Sequence, residues 1–253
     1  MKLFKDTWLM FLRYLDILIS NPVWVIIGLL QPIMYLVLLA PLLKPMAATR
    51  GFPAGGAYNV FVPGLLIQLG LFGASGVGFP LIAELRAGVI ERFRVTPVSR
   101  FALLLGRALR DILTLLVQSL LLMLLAIPFG LHVTVLGVLV MLGLVALIGL
   151  GISSISYAIA LKLRSEDSYA PLVFGVSLPL LLLSGVLLPL TLAPDWLRLI
   201  ADLNPLSHAV SAARDLFNGH GGDPEVFRGL VIMAVLALVG IGIGSRAFSR
   251  AAE

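Results

Sequence analysis

Residues 135–161 read VLGVLVMLGLVALIGLGISSISYAIAL, a stretch without a single Asp, Glu, Lys or Arg. At 1.5 Å rise per residue, a helix over it is about 40 Å long, more than the roughly 30 Å of hydrocarbon in a bilayer. A helix that long and apolar on every face reads as a membrane span. Composition agrees: the chain is 60% hydrophobic and 12% charged, whereas an average soluble chain is about 25% charged. Mean hydropathy is +1.07. Working outward, apolar runs at 23–43, 59–82, 103–128, 169–190 and 226–247 bring the predicted spans to six. The 253 residues therefore read as one all-α transmembrane domain, 1–253, with short loops and no second, soluble domain.

Orientation follows from the basic residues. With the N-terminus inside, the cytoplasmic segments hold thirteen of the 18 Lys and Arg. The outer side holds five: Lys44, Arg50, Arg198, Arg214 and Arg228. Cytoplasmic loops attract such residues, so both termini are expected inside, and six spans return the chain to its starting side. The same asymmetry accounts for the net charge of +5 without a nucleic-acid partner. The first apolar stretch is too long for the 7–15-residue core of a signal peptide and reads as a span.

Residues 3–20 differ from the spans. Phe4, Trp8, Phe11, Leu15 and Leu18 recur at helical spacing, with Lys2, Lys5, Asp6, Arg13, Asp16 and Ser20 opposite. That pattern predicts an amphipathic helix lying in the membrane interface, turned into the first span by Asn21-Pro22. Residues 1–22 form this unit.

Several chemistries are excluded. The chain has no cysteine, so no disulfide, thiolate metal site or thiol nucleophile, and only three histidines. No span interior holds an ionised residue; Asp111 and its arginine neighbours fall at a cytoplasmic end. Ion-coupled transporters and charged-filter channels need such groups, so the pathway suits a large or greasy cargo driven by external work. Gly73-Ala74-Ser75-Gly76 resembles a protease nucleophile motif. Its serine would need a histidine base within about 3 Å, yet His132, His208 and His220 are predicted near the outer side.

The polar residues within spans include Gln31, Gln68 and Gln118, with Ser153, Ser154, Ser156 and Tyr157 clustered in the fourth. Gln68, Gln118, Ser153, Ser156 and Tyr157 are candidates for a substrate-pathway wall. The alternative is interhelical hydrogen bonding, which needs the same residue types. Glycines at 70, 73, 76 and 78, at 149 and 151, and at 240, 242 and 244 predict close helix packing.

The densest charge lies between spans two and three. Residues 83–100 read AELRAGVIERFRVTPVSR. Glu84, Arg86, Glu91, Arg92 and Arg94 would decorate a short helix broken before Thr96-Pro97, while Leu85, Val89, Ile90 and Phe93 could pack into a groove. On charge alone this is an ordinary positive-inside loop. The pattern Glu84, Gly88, Glu91, Arg92, then Thr96, Pro97, Ser99 and Arg100, resembles the cytoplasmic loop of type-2 ATP-binding-cassette export permeases. Further features agree in order along the chain: the helix ending at Asn21-Pro22; Tyr58, Phe61, Pro63 and Gly64; Ser184-Gly185 and Pro189; Pro194-Asp195-Trp196; and Asn204-Pro205-Leu206 with Arg214.

The resemblance implies that 83–95 is a coupling helix docking into an ATPase subunit, with Glu84, Arg86, Gly88, Glu91, Arg92 and Arg94 at the contact and Thr96-Pro97 setting the turn into span three. It implies a partly re-entrant outer hairpin over 184–206, with Ser184, Gly185, Pro189, Pro194, Trp196, Asn204 and Pro205. A phosphate-binding loop needs G-x-x-x-x-G-K-[ST], and none of the four lysines follows a glycine. ATP and Mg are accordingly expected on a separate ATPase subunit, with no cofactor or metal on this chain. Two permeases, identical or different, and two ATPases would assemble in a bacterial plasma membrane with the pathway between the permeases. Substrates of such permeases include drugs, lipids and glycans. Aromatics are only 8%, which favours a hydrophobic small molecule or lipid over a glycan. A non-transporting scaffold subunit is the alternative from another class.

Overall fold

The computed structural model describes residues 2–43, 45, 56–89, 98–186 and 190–250. Every long regular element among them is a helix. In chain order these are α1 (Lys2–Ser20), α2 (Val23–Met34), α3 (Ala40–Leu43), α4 (Gly56–Gly76), α5 (Gly78–Arg86), α6 (Arg100–Ala126), α7 (Val135–Leu163), α8 (Glu166–Leu182), α9 (Asp195–Asp202), α10 (Pro205–Phe217) and α11 (Pro224–Arg250). Four units are long and apolar enough to cross a bilayer: residues 56–86, 101–129, 135–163 and 224–250. The chain is a membrane protein.

α4 is the hub. Of the most apolar window of 56–86, 78% is buried inside the chain, against 33%, 39% and 28% for the other three units. Val62, Leu65, Leu66 and Ile67 are at most 1% exposed. The opposite holds for α2 and α8, whose Ile26, Leu30, Phe174 and Leu182 are exposed and suit contact with lipid rather than water.

α7 and α11 meet backbone to backbone. A Cβ added at Gly151 would lie 3.0 Å from the Leu236 carbonyl oxygen, and one at Gly244 2.9 Å from that of Ser154. Small residues let membrane helices approach this closely where no hydrophobic driving force separates lipid from protein. Gly76 and Gly242, by contrast, face open space.

Three expected spans differ in detail. The run 59–82 is two helices, broken at Val77. The run 23–43 carries Pro32 inside α2, where its missing N–H removes a ladder bond, and passes through a π turn over Tyr35–Leu39. The run 169–190 is helical only over Glu166–Leu182 and turns at Leu183–Gly185, with Gly185 at φ +76. It is shorter than the hydropathy expected, about 26 Å at 1.5 Å per residue.

α1 ends at Ser20 and the chain turns by 67° into the next helix. Its Phe4 and Trp8 are exposed, Phe11, Leu15 and Leu18 half-buried, and another face packs inward through Thr7, Met10 and Tyr14. That face approaches α6 at Gly106, where an added Cβ would lie 3.0 Å from the Phe11 amide nitrogen.

Candidate functional site

Two polar assemblies sit at opposite ends of the helix bundle. The first surrounds the charged loop. α5 carries Glu84 in its last turn, and Glu84 accepts a hydrogen bond from Arg107 Nη2 on α6. Arg107 is 1% exposed. Its guanidinium lies over the Tyr14 ring of α1, 4.5 Å from the centroid, where the ring's negative face stabilises a cation. Burial pushes the Tyr14 hydroxyl above its ordinary pKa, with the nearby Arg107 charge opposing, so this tyrosine stays neutral at pH 7. At the far end of the loop, the Ser99 amide donates to Asp6 Oδ2 on α1 at 3.4 Å. Both ends of the 83–100 loop are thus tied to α1, one through Arg107 and one directly.

Arg86 reaches Glu166 at the start of α8, 3.2 Å away and exposed, a pair that contributes little to stability. Gly88 ends α5: its amide donates to the Leu85 carbonyl at 3.1 Å and its φ is +67. A side chain in this left-handed region costs about 1–2 kcal/mol, which accounts for glycine here. Gly88→Val is therefore expected to unwind the end of α5, read as faster amide hydrogen exchange over its last turn. Glu91, Arg92, Arg94, Thr96 and Pro97 lie outside the described residues, as does Pro189.

One turn further into α6, Asp111 pairs with Arg110 at 3.2 Å and accepts from the Tyr157 hydroxyl of α7. Next to it, the Tyr169 hydroxyl donates to the Ser75 carbonyl at 2.6 Å and bonds Ser156, whose own hydroxyl also reaches that carbonyl at 3.0 Å. Ser75 Oγ faces Ser177 Oγ at 3.3 Å, so its partner is another hydroxyl rather than a base. The break at Val77 comes two residues later, and these bonds to the Ser75 carbonyl stabilise it between α4 and α5. Ser153 bonds within its own helix, to the Leu150 carbonyl at 3.5 Å. Ser153, Ser156 and Tyr157 are all buried among helices. Gln68 and Gln118, in contrast, line a common cavity of about 260 Å³ between α2, α4 and α6.

The second assembly closes the other end. The Asn59 carboxamide donates to the carbonyls of His132 (3.1 Å) and Phe217 (3.0 Å) and accepts from the His132 amide (3.1 Å). One α4 side chain so pins the α6–α7 link and the end of α10. From α10, Arg214 donates to the carbonyls of Val60 (2.9 Å) and Gly185 (2.7 Å). Burial lowers its pKa to about 10, still far enough above neutrality to keep the guanidinium charged. Asn204 caps α10, accepting from the Leu206 amide at 3.0 Å, and donates to the Leu180 carbonyl at 2.7 Å. Pro205 takes the first helical position, where no N–H is needed. Ser184 bonds the Leu181 carbonyl at 2.6 Å. Pro194 precedes α9, and Trp196 is 64% exposed.

Arg214 thus fastens the turn after α8 to the start of α4. Arg214→Ala would remove the donors that join the Val60 and Gly185 carbonyls, at about 0.5–3 kcal/mol for each charged hydrogen bond lost. The variant is expected to expose the 184–206 segment to protease in sealed vesicles, and Arg214→Lys to rescue it in part.

Sequence reading singled out Glu84 but missed its partners Arg107 and Tyr14, and it missed Asn59. Their separations along the chain carry no periodic signal. The one available hint was the density of charge in 107–111.

The profile of the ABC-2 type transporter family matches residues 5–218. The putative transport permease ycf38 of Cyanophora paradoxa is 28% identical over 200 residues, covering 78% of this chain and 69% of that protein. Its counterpart from Pyropia yezoensis is 30% identical over 201 residues, with the same coverage. The daunorubicin resistance ABC transporter permease protein DrrB1 of Streptomyces coeruleorubidus is 28% identical over 215 residues, covering 81% of this chain and 75% of that protein.

Proposed function

This chain belongs to the ABC-2 type transporter membrane family, and on that footing we propose that it is the permease subunit of an ATP-driven exporter. The observation that carries the reading is the double fastening of the 83–100 loop. Glu84 reaches α1 through Arg107, and Ser99 reaches it through Asp6. A loop held at both ends to α1 and α6 passes a push from below into the helices instead of absorbing it. Passive positive-inside loops need no such ties.

ATP bound on a separate subunit, with Mg, would draw two ATPases together and carry two coupling loops with them. The two states then differ in their contacts at Glu84, Arg86, Gly88, Glu91, Arg92 and Arg94, and that difference lets ATP bias them. The chain crosses the bacterial plasma membrane six times, α2–α3 and α8 supplying the two shorter spans. Both termini are cytoplasmic and α1 lies in the interface. The 184–206 segment forms a partly re-entrant lid, and a second permease copy, identical or not, completes the pathway.

The cargo is a hydrophobic small molecule or lipid. The low aromatic content supports this, as does the drug-resistance role named for DrrB1. The test is Glu91→Arg in vesicles holding the permease and its ATPase. Export should be lost while membrane insertion and basal ATP hydrolysis continue. Normal export by this variant would remove the case for the loop.

A further inference from the structure

The cavity between α2, α4 and α6 holds an imbalance that the packing does not explain. Gln68 lines it and is 1% exposed, yet neither Oε1 nor Nε2 of its amide has a hydrogen-bond partner among the described residues. An amide buried without partners is costly, and helices could have filled the position with leucine at no such cost. Unsatisfied polar groups of this kind concentrate at functional positions.

The surroundings specify what would satisfy it. Ile27, Leu69, Phe72 and Leu115 give the cavity an apolar wall. Arg110 and Asp111 also line it, paired at 3.2 Å, so the charges cancel, and Arg110 Nε is buried without a partner among the described residues. Gln118 is already engaged, its Nε2 donating to the Val25 carbonyl at 2.8 Å. The open groups are therefore the donor NH2 and acceptor oxygen of the Gln68 carboxamide and one further N–H at Arg110, in an apolar setting with no net charge.

We propose that this cavity binds an uncharged, membrane-soluble molecule through a carboxamide or hydroxy-carbonyl group, entirely within one chain. At about 260 Å³ it lies just under the range of drug-sized pockets, so it holds the polar end of a longer amphiphile. The site is separate from the pathway between permeases. The permease reading bears only on its consequence, that cargo is taken from the bilayer into one subunit before release.

The test is photolabelling of the full chain in its native membranes with two probes, a diazirine-bearing alkyl carboxamide and a diazirine alkane of equal length. Peptides holding residues 27–32, 68–77 and 110–118 should be labelled about fivefold more by the carboxamide, the factor expected of one net hydrogen bond. Gln68→Leu should abolish that preference while leaving the apparent Tm equal or higher. Gln68→Met gives the same reading should the leucine variant not reach the membrane. Equal labelling by both probes, as a water-filled or empty cavity would give, overturns the proposal, as does a preference that survives the substitution. Membranes lacking any ATPase partner should give the same labelling, so loss of the transport reading would leave this result standing.

Discussion

Arg107→Leu is expected to destabilise the permease by about 3–5 kcal/mol, the cost of breaking a buried charge pair from one side, and to abolish export. The guanidinium makes two contacts, donating to Glu84 and stacking on Tyr14, and its helix directly follows the 83–100 loop. Removing it leaves the Glu84 carboxylate, only 23% exposed, without its cation. It also detaches α1 from α5. Stability and coupling can be separated with a double variant. Replacing Glu84 with Gln and Arg107 with Met together removes both charges, and such replacements are often neutral. This variant should recover most of the thermal stability lost by Arg107→Leu while transport per ATP stays low. Recovery of both would mean that the pair is structural only.

Gly240→Leu is the second large effect. A Cβ there would fall against the Gly151 carbonyl oxygen and backbone carbon, the carbon at 2.9 Å. Backbone cannot move aside as a side chain can. Overpacking of a tight contact costs about 1–3 kcal/mol and more where the backbone must shift, and a leucine adds three further carbons. We expect α7 and α11 to separate and the folded fraction recovered from membranes to drop severalfold. Gly242→Leu, two residues away but facing open space, should be recovered at normal yield and serves as the control.

The long spans were legible because the bilayer demands apolar runs of a fixed length, and α7 satisfies that demand without interruption. Packing glycines were legible for a similar reason: 151, 240 and 244 lie where the two long helices touch. The end of α8 was not, because LPLLLLSGVLL remains apolar straight through the turn. Hydropathy is blind to a turn whose only marks are Ser184, Gly185 and a distant arginine. α10 was missed for the opposite reason. Its SHAVSAARDLF run is mixed in polarity, and it is buried through small alanines at 209, 212 and 213. The packing around the 83–100 loop was half legible. Glu84 stood out by its motif, but Arg107 comes 23 residues later and Tyr14 belongs to another helix. Only the fold brings these three together.

The central claim is that the 83–100 loop receives an ATPase. The lack of native cysteine lets one be introduced alone. Gly88, at the apex of the motif, is a poor place because its φ of +67 would be strained by any side chain. Val89 is the adjacent position without that penalty. A photo-crosslinker on Val89→Cys in native membranes, followed by mass spectrometry, should capture a nucleotide-binding subunit carrying a phosphate-binding loop, more strongly with ATP present than without. Capture of lipid alone, or of proteins without such a loop while ATPases are present in the membrane, would contradict the coupling account and favour a scaffold.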